Sequence, residues 1–551
     1  MADGTGRVEI VHAARPSFGP PSAAPSDMPH FPPIVLAIAF AAIVVAVTAL
    51  GRRLPVPPPI LQVAAGFLVG LVPGMTIPRL EPDIVFFVFL PPVLWAAAFF
   101  TSLRDFNANR RPIGLLAIGL VLATSVAVAV AARALFPGMS WAVAIALGAI
   151  VSPPDAVAAA AIVSRLPVPR RVIVILEGES LVNDASALIL YRSAVAAAVT
   201  GVFSWGESIV RFFVDAGVGV AIGILIAWLV LRAIRWSRDV MAETLLTLAA
   251  PYVAWVAAET LHVSAVLACV AGGLFLRQHF SNAVAPLSRL QNRSVWDLAI
   301  FVLNAAIFLL LGVQCRALLT EVPAGTLGSV VRAGVVIGVV AIVVRLLWVP
   351  IATYAPRLLS RRIRRDDPAP AWRPVFLVAW TSMRGIVSMA TALALPLVLA
   401  DGTPFPYRRE IVLVTMCVIV LTLVVQGLTL APLIRAFAFV PEKTHHTEAR
   451  VARLEAARRG AETLEDLSRE PWVDARDVEW LRGELRDRLR LLEHHAGEPE
   501  GRRRLRTEMM RAERRMLVRL RNEGAISDEV LRELEQELDF EAVRVGAGDD
   551  R

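Results

Sequence analysis

The chain has 551 residues, 56% of them hydrophobic and only 19% charged, with 56 Lys and Arg against 48 Asp and Glu for a formal net charge of +8. Ordinary soluble chains carry about 25% charged and about 45–50% apolar residues, so this balance excludes a disordered chain and argues against a wholly soluble one. The basic excess does not call for nucleic acid, because the charges are segregated into loops and a tail.

Residues 1–30 are rich in Pro, Ser and Ala and lack an apolar run before a small-residue cleavage site, so they read as a disordered leader. From 31 to 439 the chain is a succession of apolar stretches of about 17 to 25 residues, the length that crosses a ~30 Å hydrocarbon layer as helix. The expected spans lie at about 31–50, 59–74, 83–100, 112–135, 140–163, 172–198, 209–234, 241–259, 262–278, 295–315, 327–353, 373–400 and 410–439, about thirteen in all. After Val440 the composition inverts to Arg, Glu and Leu.

Arginines in short loops set the orientation, because Lys and Arg are retained on the cytoplasmic side. An external N-terminus places Arg52 and Arg53, then Arg104, Arg110 and Arg111, then Arg165, Arg170 and Arg171 inside. The later groups at Arg232–Arg238, Arg277–Arg293 and Arg357–Arg365 fall on the same side, and an odd span count puts the tail in the cytoplasm. The tail, 440–551, reads as amphipathic helices at about 450–467, 475–492, 503–521 and 528–543, the last with Ser527 as N-cap and Ile526 and Leu531 as a hydrophobic staple. Cys269, Cys315 and Cys417 lie in or beside apolar runs without CxxC spacing, which argues against a disulfide framework or a zinc site.

A charge deep in a span costs several kcal/mol unless paired or hydrated, so each one is a candidate site. Asp155 lies mid-span in SPPDAVAAA, where Pro153 and Pro154 remove backbone donors and predict a break just before the acid. Unwound backbone at membrane depth is tolerated where it lines a cavity, and its carbonyls can hold a cation there. The next span carries EGESLVNDA, with Ser180 and Asp184 as one i,i+4 pair and Glu179 and Asn183 as another beside it. Hard oxygen ligands without sulfur or imidazole suit alkali cations and protons. In the twelfth span Arg384 and Gly385 stand in WTSMRGIVSMA, and a buried Arg demands a carboxylate: Glu179 is the first choice, Glu177 the second. Asp215, Glu243, Glu259 and Asp297 lie near span ends and read as solvated or snorkelling. The competing reading of the buried set is helix-packing glue that binds nothing, and the combination of Asp155, Ser180, Asp184 and a proline-broken helix weighs against it.

With SPPDAVAAA, EGESLVNDA and SMRGIVS in this order on the fifth, sixth and twelfth spans, and FVLNAAIFLLLGVQC on the tenth, the chain resembles the monovalent cation/proton antiporter family of bacterial NhaP-type and animal sodium/proton exchangers. The resemblance covers 31–439 and extends to the tail. It implies an all-α polytopic fold of about thirteen helices in two inverted six-helix repeats, with crossed broken helices and a dimer domain, multi-pass in a bacterial inner membrane. It implies that Asp184 binds the transported ion with Asp155, Ser180 and Asn183 beside it, that the monovalent cation is held by Asp184, Asp155 and Ser180, and that Glu179 pairs with Arg384. Electroneutral exchange is implied because Asn183 stands where electrogenic relatives have a second Asp. Many relatives have Thr or another non-proline residue directly before the fifth-span Asp, where this chain has Pro154, so a Thr hydroxyl ligand is unavailable. If the two repeats flank a linking seventh span, the fifth corresponds to the twelfth, and these are the two interrupted spans.

The expected activity is exchange of a monovalent cation, Na+ first and Li+ next, for protons by competition at one buried carboxylate. K+/H+ exchange is the second reading and an ion channel or receptor the third. No enzyme activity, cofactor or nucleic acid is expected, and no GxxxxGK[ST] loop is present to bind nucleotide. The expected partners are cations, protons, membrane lipid and a second copy of the chain.

Overall fold

In the computed structural model the described residues are 33–54, 56–72, 84–163, 166–201, 205–237, 239–321, 325–399, 402–439, 443–493 and 500–545. The predicted leader lies outside them. The described residues are helical throughout, apart from connecting turns and one isolated bridge between Val398 and Pro404.

The principal helices are α1 (Pro33–Arg53), α2 (Pro58–Val69), α3 (Leu90–Phe100), α4 (Val121–Leu135), α5 (Trp141–Val151), α6 (Ala156–Val163), α7 (Arg170–Thr200), α8 (Trp205–Ser237), α9 (Val240–Thr260), α10 (Ala265–Ala283), α11 (Pro286–Glu321), α12 (Leu327–Leu359), α13 (Trp372–Trp380), α14 (Ile386–Leu393) and α15 (Arg408–Phe437). Short polar side chains start several of them. Ser140 accepts from the Val143 amide, Asp239 from that of Ala242 and Ser264 from that of Leu267, each satisfying a donor that the first helical turn leaves unpaired.

Helix falls in each predicted span, and two spans are interrupted. The fifth divides into α5 and α6 around 152–155, and the twelfth into α13 and α14 around 381–385. Six uninterrupted helical stretches among the described residues are long and apolar enough to cross a membrane on their own. The interrupted helices and α7, which carries the polar motif, are not among the six.

The outer surface confirms the solvent. On α4, Ile118 and Leu122, in and just after the π-helical turn that opens it, and Val126 and Val130 form an exposed apolar row at four-residue spacing. Water would not tolerate such rows on many helices at once, whereas lipid covers them at no cost. Inside, one apolar cluster joins residues of α4 to α6 with α12 to α15. A second gathers α3, α8, α9 and α10 around Trp95, Trp255 and Trp296.

At one end of the bundle, charges tie distant loops together. The Asp367 carboxylate accepts from Arg357 Nη2 at 2.7 Å, Arg111 Nη2 at 2.8 Å and Arg171 Nη2 at 3.0 Å, and its backbone carbonyl accepts from Arg357 Nε at 3.0 Å.

Residues 442–551 form a separate compact unit of four helices: α16 (Lys443–Leu467), α17 (Ala475–Glu493), α18 (Glu500–Asn522) and α19 (Asp528–Val545). The predicted cap of the last is present, with Ser527 Oγ accepting from the Val530 amide at 3.2 Å and Leu531 buried. Arg482 clasps Glu465 through two hydrogen bonds and so holds that carboxyl below the usual carboxylate range. A depressed carboxylate contributes stability above its unfolded pKa and loses it as pH falls through the folded one, so this pair does not respond to changes around neutrality.

Candidate functional site

The two interruptions meet. The amide of Asp155, at the end of the first break, donates to the carbonyl of Met383 in the second at 2.6 Å. Four helix ends therefore converge: the C-termini of α5 and α13 and the N-termini of α6 and α14. Each carries unpaired backbone groups and a partial charge of the corresponding sign.

Two charged residues answer these ends. Asp155 Oδ1 accepts from the Val157 amide at 2.8 Å, capping α6. Arg384 Nε donates to the carbonyl of Val151, the last residue of α5, at 2.9 Å, and its Nη1 donates to both the carbonyl and the hydroxyl of Ser382. Its own amide donates to Thr422 Oγ1 of α15 at 3.1 Å. The acid thus complements the positive helix ends and the guanidinium the negative ones.

This arrangement corrects the expected Glu179–Arg384 pair. Among the described residues Arg384 has no carboxylate within ion-pair distance, because its donors are engaged by helix-end carbonyls. Glu179 instead receives a two-pronged contact from Arg345 of α12, through Nη1 on one oxygen and Nη2 at 2.8 Å on the other. Both side chains are 1% exposed. Arg345 completes its valence on the Val378 carbonyl near the end of α13, with Nη2 at 3.1 Å and Nε at 3.2 Å. Glu177, the second choice, is half-buried. Arg345 was missed although the rule that singled out Arg384 applies equally to it: it interrupts the apolar run GVVAIVVRLLWV.

Asp184 and Asn183 lie beside the first break. Asp184 is buried on α7 at the wall of a small recess of about 10 Å³, room for roughly one water, whose lining includes Pro153, Leu90, Val266, Val387 and Thr391. Asn183 is fully buried, and its Nδ2 donates to the Pro154 carbonyl at 3.4 Å while its Oδ1 has no partner among the described residues. Ser180, one turn before Asp184, is half-buried.

Gly385 is required by this packing. A Cβ there would stand 2.0 Å from Asp155 Oδ2, far inside contact distance. Gly385→Ala is therefore expected to push the two breaks apart, lowering the melting temperature and reducing exchange at least tenfold, as misplacing reacting groups by about an ångström does. Unchanged transport in reconstituted vesicles would show that the close approach is dispensable.

Of the acids expected to be solvated near span ends, Glu243 is not: it is 7% exposed, and its Oε2 has no partner among the described residues. Glu259 pairs with Arg192, and Asp297 pairs with Arg293 on the surface of α11.

A family model described as sodium/hydrogen exchanger, transmembrane, matches residues 38–436. The chain belongs to the sodium/hydrogen exchanger family. It is 34% identical over 526 residues to an uncharacterized Na(+)/H(+) exchanger of Mycobacterium tuberculosis, covering 93% of this chain and 96% of that one. It is 33% identical to the sodium, potassium, lithium and rubidium/H(+) antiporter of Bacillus pumilus, over 68% of this chain and 57% of the relative. The solved sodium proton antiporter MjNhaP1 of Methanocaldococcus jannaschii superposes with a TM-score of 0.56 at 16% identity, covering 73% of this chain and 98% of that structure, a likeness of fold. The exchanger is accordingly a membrane-spanning cation/proton antiporter of a transporter family, not of an enzyme family.

Proposed function

We propose that the exchanger trades one monovalent cation, Na+ first and Li+ next, for protons across the bacterial cell membrane, electroneutrally, at Asp184. The observation that carries this reading is the position of Asp184: a buried acid on the wall of a small recess, beside a crossing of broken helices. Asp155, Ser180 and the unpartnered Oδ1 of Asn183 supply further hard oxygens around it, which suit an alkali cation. A bare carboxylate is costly in a low-dielectric passage, so the site moves only when a cation or a proton neutralises it. Exchange follows from that competition, and the opposing gradient supplies the energy. Arg345 and Glu179 hold α12 against α7 and take no ion. The exchanger works as a homodimer in lipid, with the N-terminus outside, the tail in the cytoplasm and a role in pH homeostasis.

Proton movement in everted vesicles, followed by a pH-sensitive dye on adding Na+, Li+ and K+ in turn, tests the reading. A saturable response to Na+ supports it, and currents far faster than a carrier cycle would point to a channel. K+/H+ exchange is the second reading, favoured by the potassium and rubidium in the name of the Bacillus pumilus relative; a response to K+ exceeding that to Na+ would select it.

Asp155→Asn separates two roles of that residue. Asn caps a helix as well as Asp, so the bond to the Val157 amide and the fold survive. The lost charge is expected to raise the KM for Na+ about tenfold or more, the equivalent of roughly 1.4 kcal/mol. An unchanged KM would remove Asp155 from the ion site.

A further inference from the structure

Gln426 of α15 is 0% exposed, and neither Oε1 nor Nε2 has a partner among the described residues. An amide buried with both ends unmet by protein carries a desolvation cost, so a native chain keeps one where water, another conformation or a ligand meets it.

Its position identifies that conformation. The bond from the Arg384 amide to Thr422 Oγ1 marks the level of the crossing on α15. Val387 and Thr391, which line the recess, lie on the side toward which α14 runs, and α15 starts back from that end at Arg408. Gln426 stands one turn past the crossing, on the far side from the recess.

There α2 closes against α15. A Cβ on Gly427 would lie 3.0 Å from Ile60 Cδ1 and 3.7 Å from Met383 Sδ, and the Met383 carbonyl is the one that takes the Asp155 amide. The contact between α2 and α15 is thus apolar, it lies beside Met383, the residue bonded to Asp155, and Gln426 is the next residue to Gly427 at this level of α15. On its other side α2 is locked to α11, where a Cβ on Gly66 or on Gly312 would stand 2.0 Å from a backbone oxygen of the opposing helix. Opening on the far side therefore parts α2 from α15 more readily than α2 from α11.

We propose that Gln426 is an ion-contacting residue for entry and release on the face opposite the recess. When the α2–α15 seam parts, water reaches the amide, and its hard Oε1 receives the cation on the way to Asp155 and Asp184. While the seam is shut, the unmet amide raises the energy of the closed arrangement and so lowers the cost of opening it. The inference rests on the proposed exchange at Asp184. The two fail separately: loss of the Asp184 reading shows in Asp184→Asn, whereas Gln426 variants are read with Asp184 intact.

The test uses Gln426→Leu, with Gln426→Met as a second variant of similar length, in full-length exchanger reconstituted in vesicles of both orientations. Both variants are expected to raise Tm, because they remove a buried amide that has no partner. They are expected to raise the KM for Na+ applied on the far face by roughly five- to thirtyfold, with the KM on the recess face unchanged or lowered, because removing the unmet amide populates the far-closed state. A fall in Tm in both variants would show that the amide is satisfied in the closed form. Equal changes of KM on the two faces, or none, would overturn the assignment.

Discussion

Replacing Asp184 with asparagine is expected to reduce Na+-dependent proton movement to that of empty vesicles, with the folded protein still recovered from the membrane. The amide cannot take a proton in exchange for a cation, so both halves of the cycle are lost together. The surroundings stay intact, because Asp184 makes none of the bonds that hold the crossing: Asp155 to Met383, Arg384 to Val151 and Asn183 to Pro154. A correctly folded Asp184→Asn variant that still exchanges would move the ion site elsewhere, with Asp155 next in line.

The second large effect belongs to Arg345. Arg345→Ala leaves the Glu179 carboxylate buried and unpaired, and removal of one partner of a buried ion pair costs about 3–5 kcal/mol. Arg384→Ala strips three hydrogen bonds from Val151 and Ser382, at about 1.5–3 kcal/mol each, but orphans no charge, whereas Arg345→Ala loses two bonds of the same kind to the Val378 carbonyl and strands Glu179 besides. Thermal unfolding in detergent is therefore expected to rank Arg345→Ala as the less stable variant. The double variant Glu179→Met with Arg345→Met should recover much of the loss, since replacing both partners removes the stranded charge. The reverse ranking, or a double variant worse than either single one, would restore Arg384 as the partner of Glu179.

These two cases show what was legible in the sequence. The break before Asp155 follows from Pro153 and Pro154 because proline acts on its own backbone, and the EGESLVNDA motif falls on one helix where i,i+4 spacing fixes which side chains are neighbours. The partner of Glu179 lies 166 residues away, and the choice between Arg345 and Arg384 turns on which helix end each guanidinium meets. Residue counting carries no such information until the two breaks are seen to cross. The expectation that a buried Arg must have a carboxylate also assumed that only a charge can satisfy it. The C-terminal ends of α5 and α13 supply partial negative charge instead, and Arg384 donates to a carbonyl at each. Glu243 failed for a related reason: nearness to a span end predicts water, but the packing around the start of α9 covers it.

The Asp367 knot has a consequence for the order of events during synthesis. Its carboxylate is separated from Arg111 by 256 residues and from Arg171 by 196, so the two arginines emerge and choose a side of the membrane long before the acid exists. In the proposed orientation they act during insertion as uncompensated positive charges, the form in which arginine retains a loop in the cytoplasm. Only when Asp367 is made are they recruited, with Arg357, into one cluster. Signals that first direct the chain later become a fastening, and the net positive charge that decides topology is partly consumed by the finished fold.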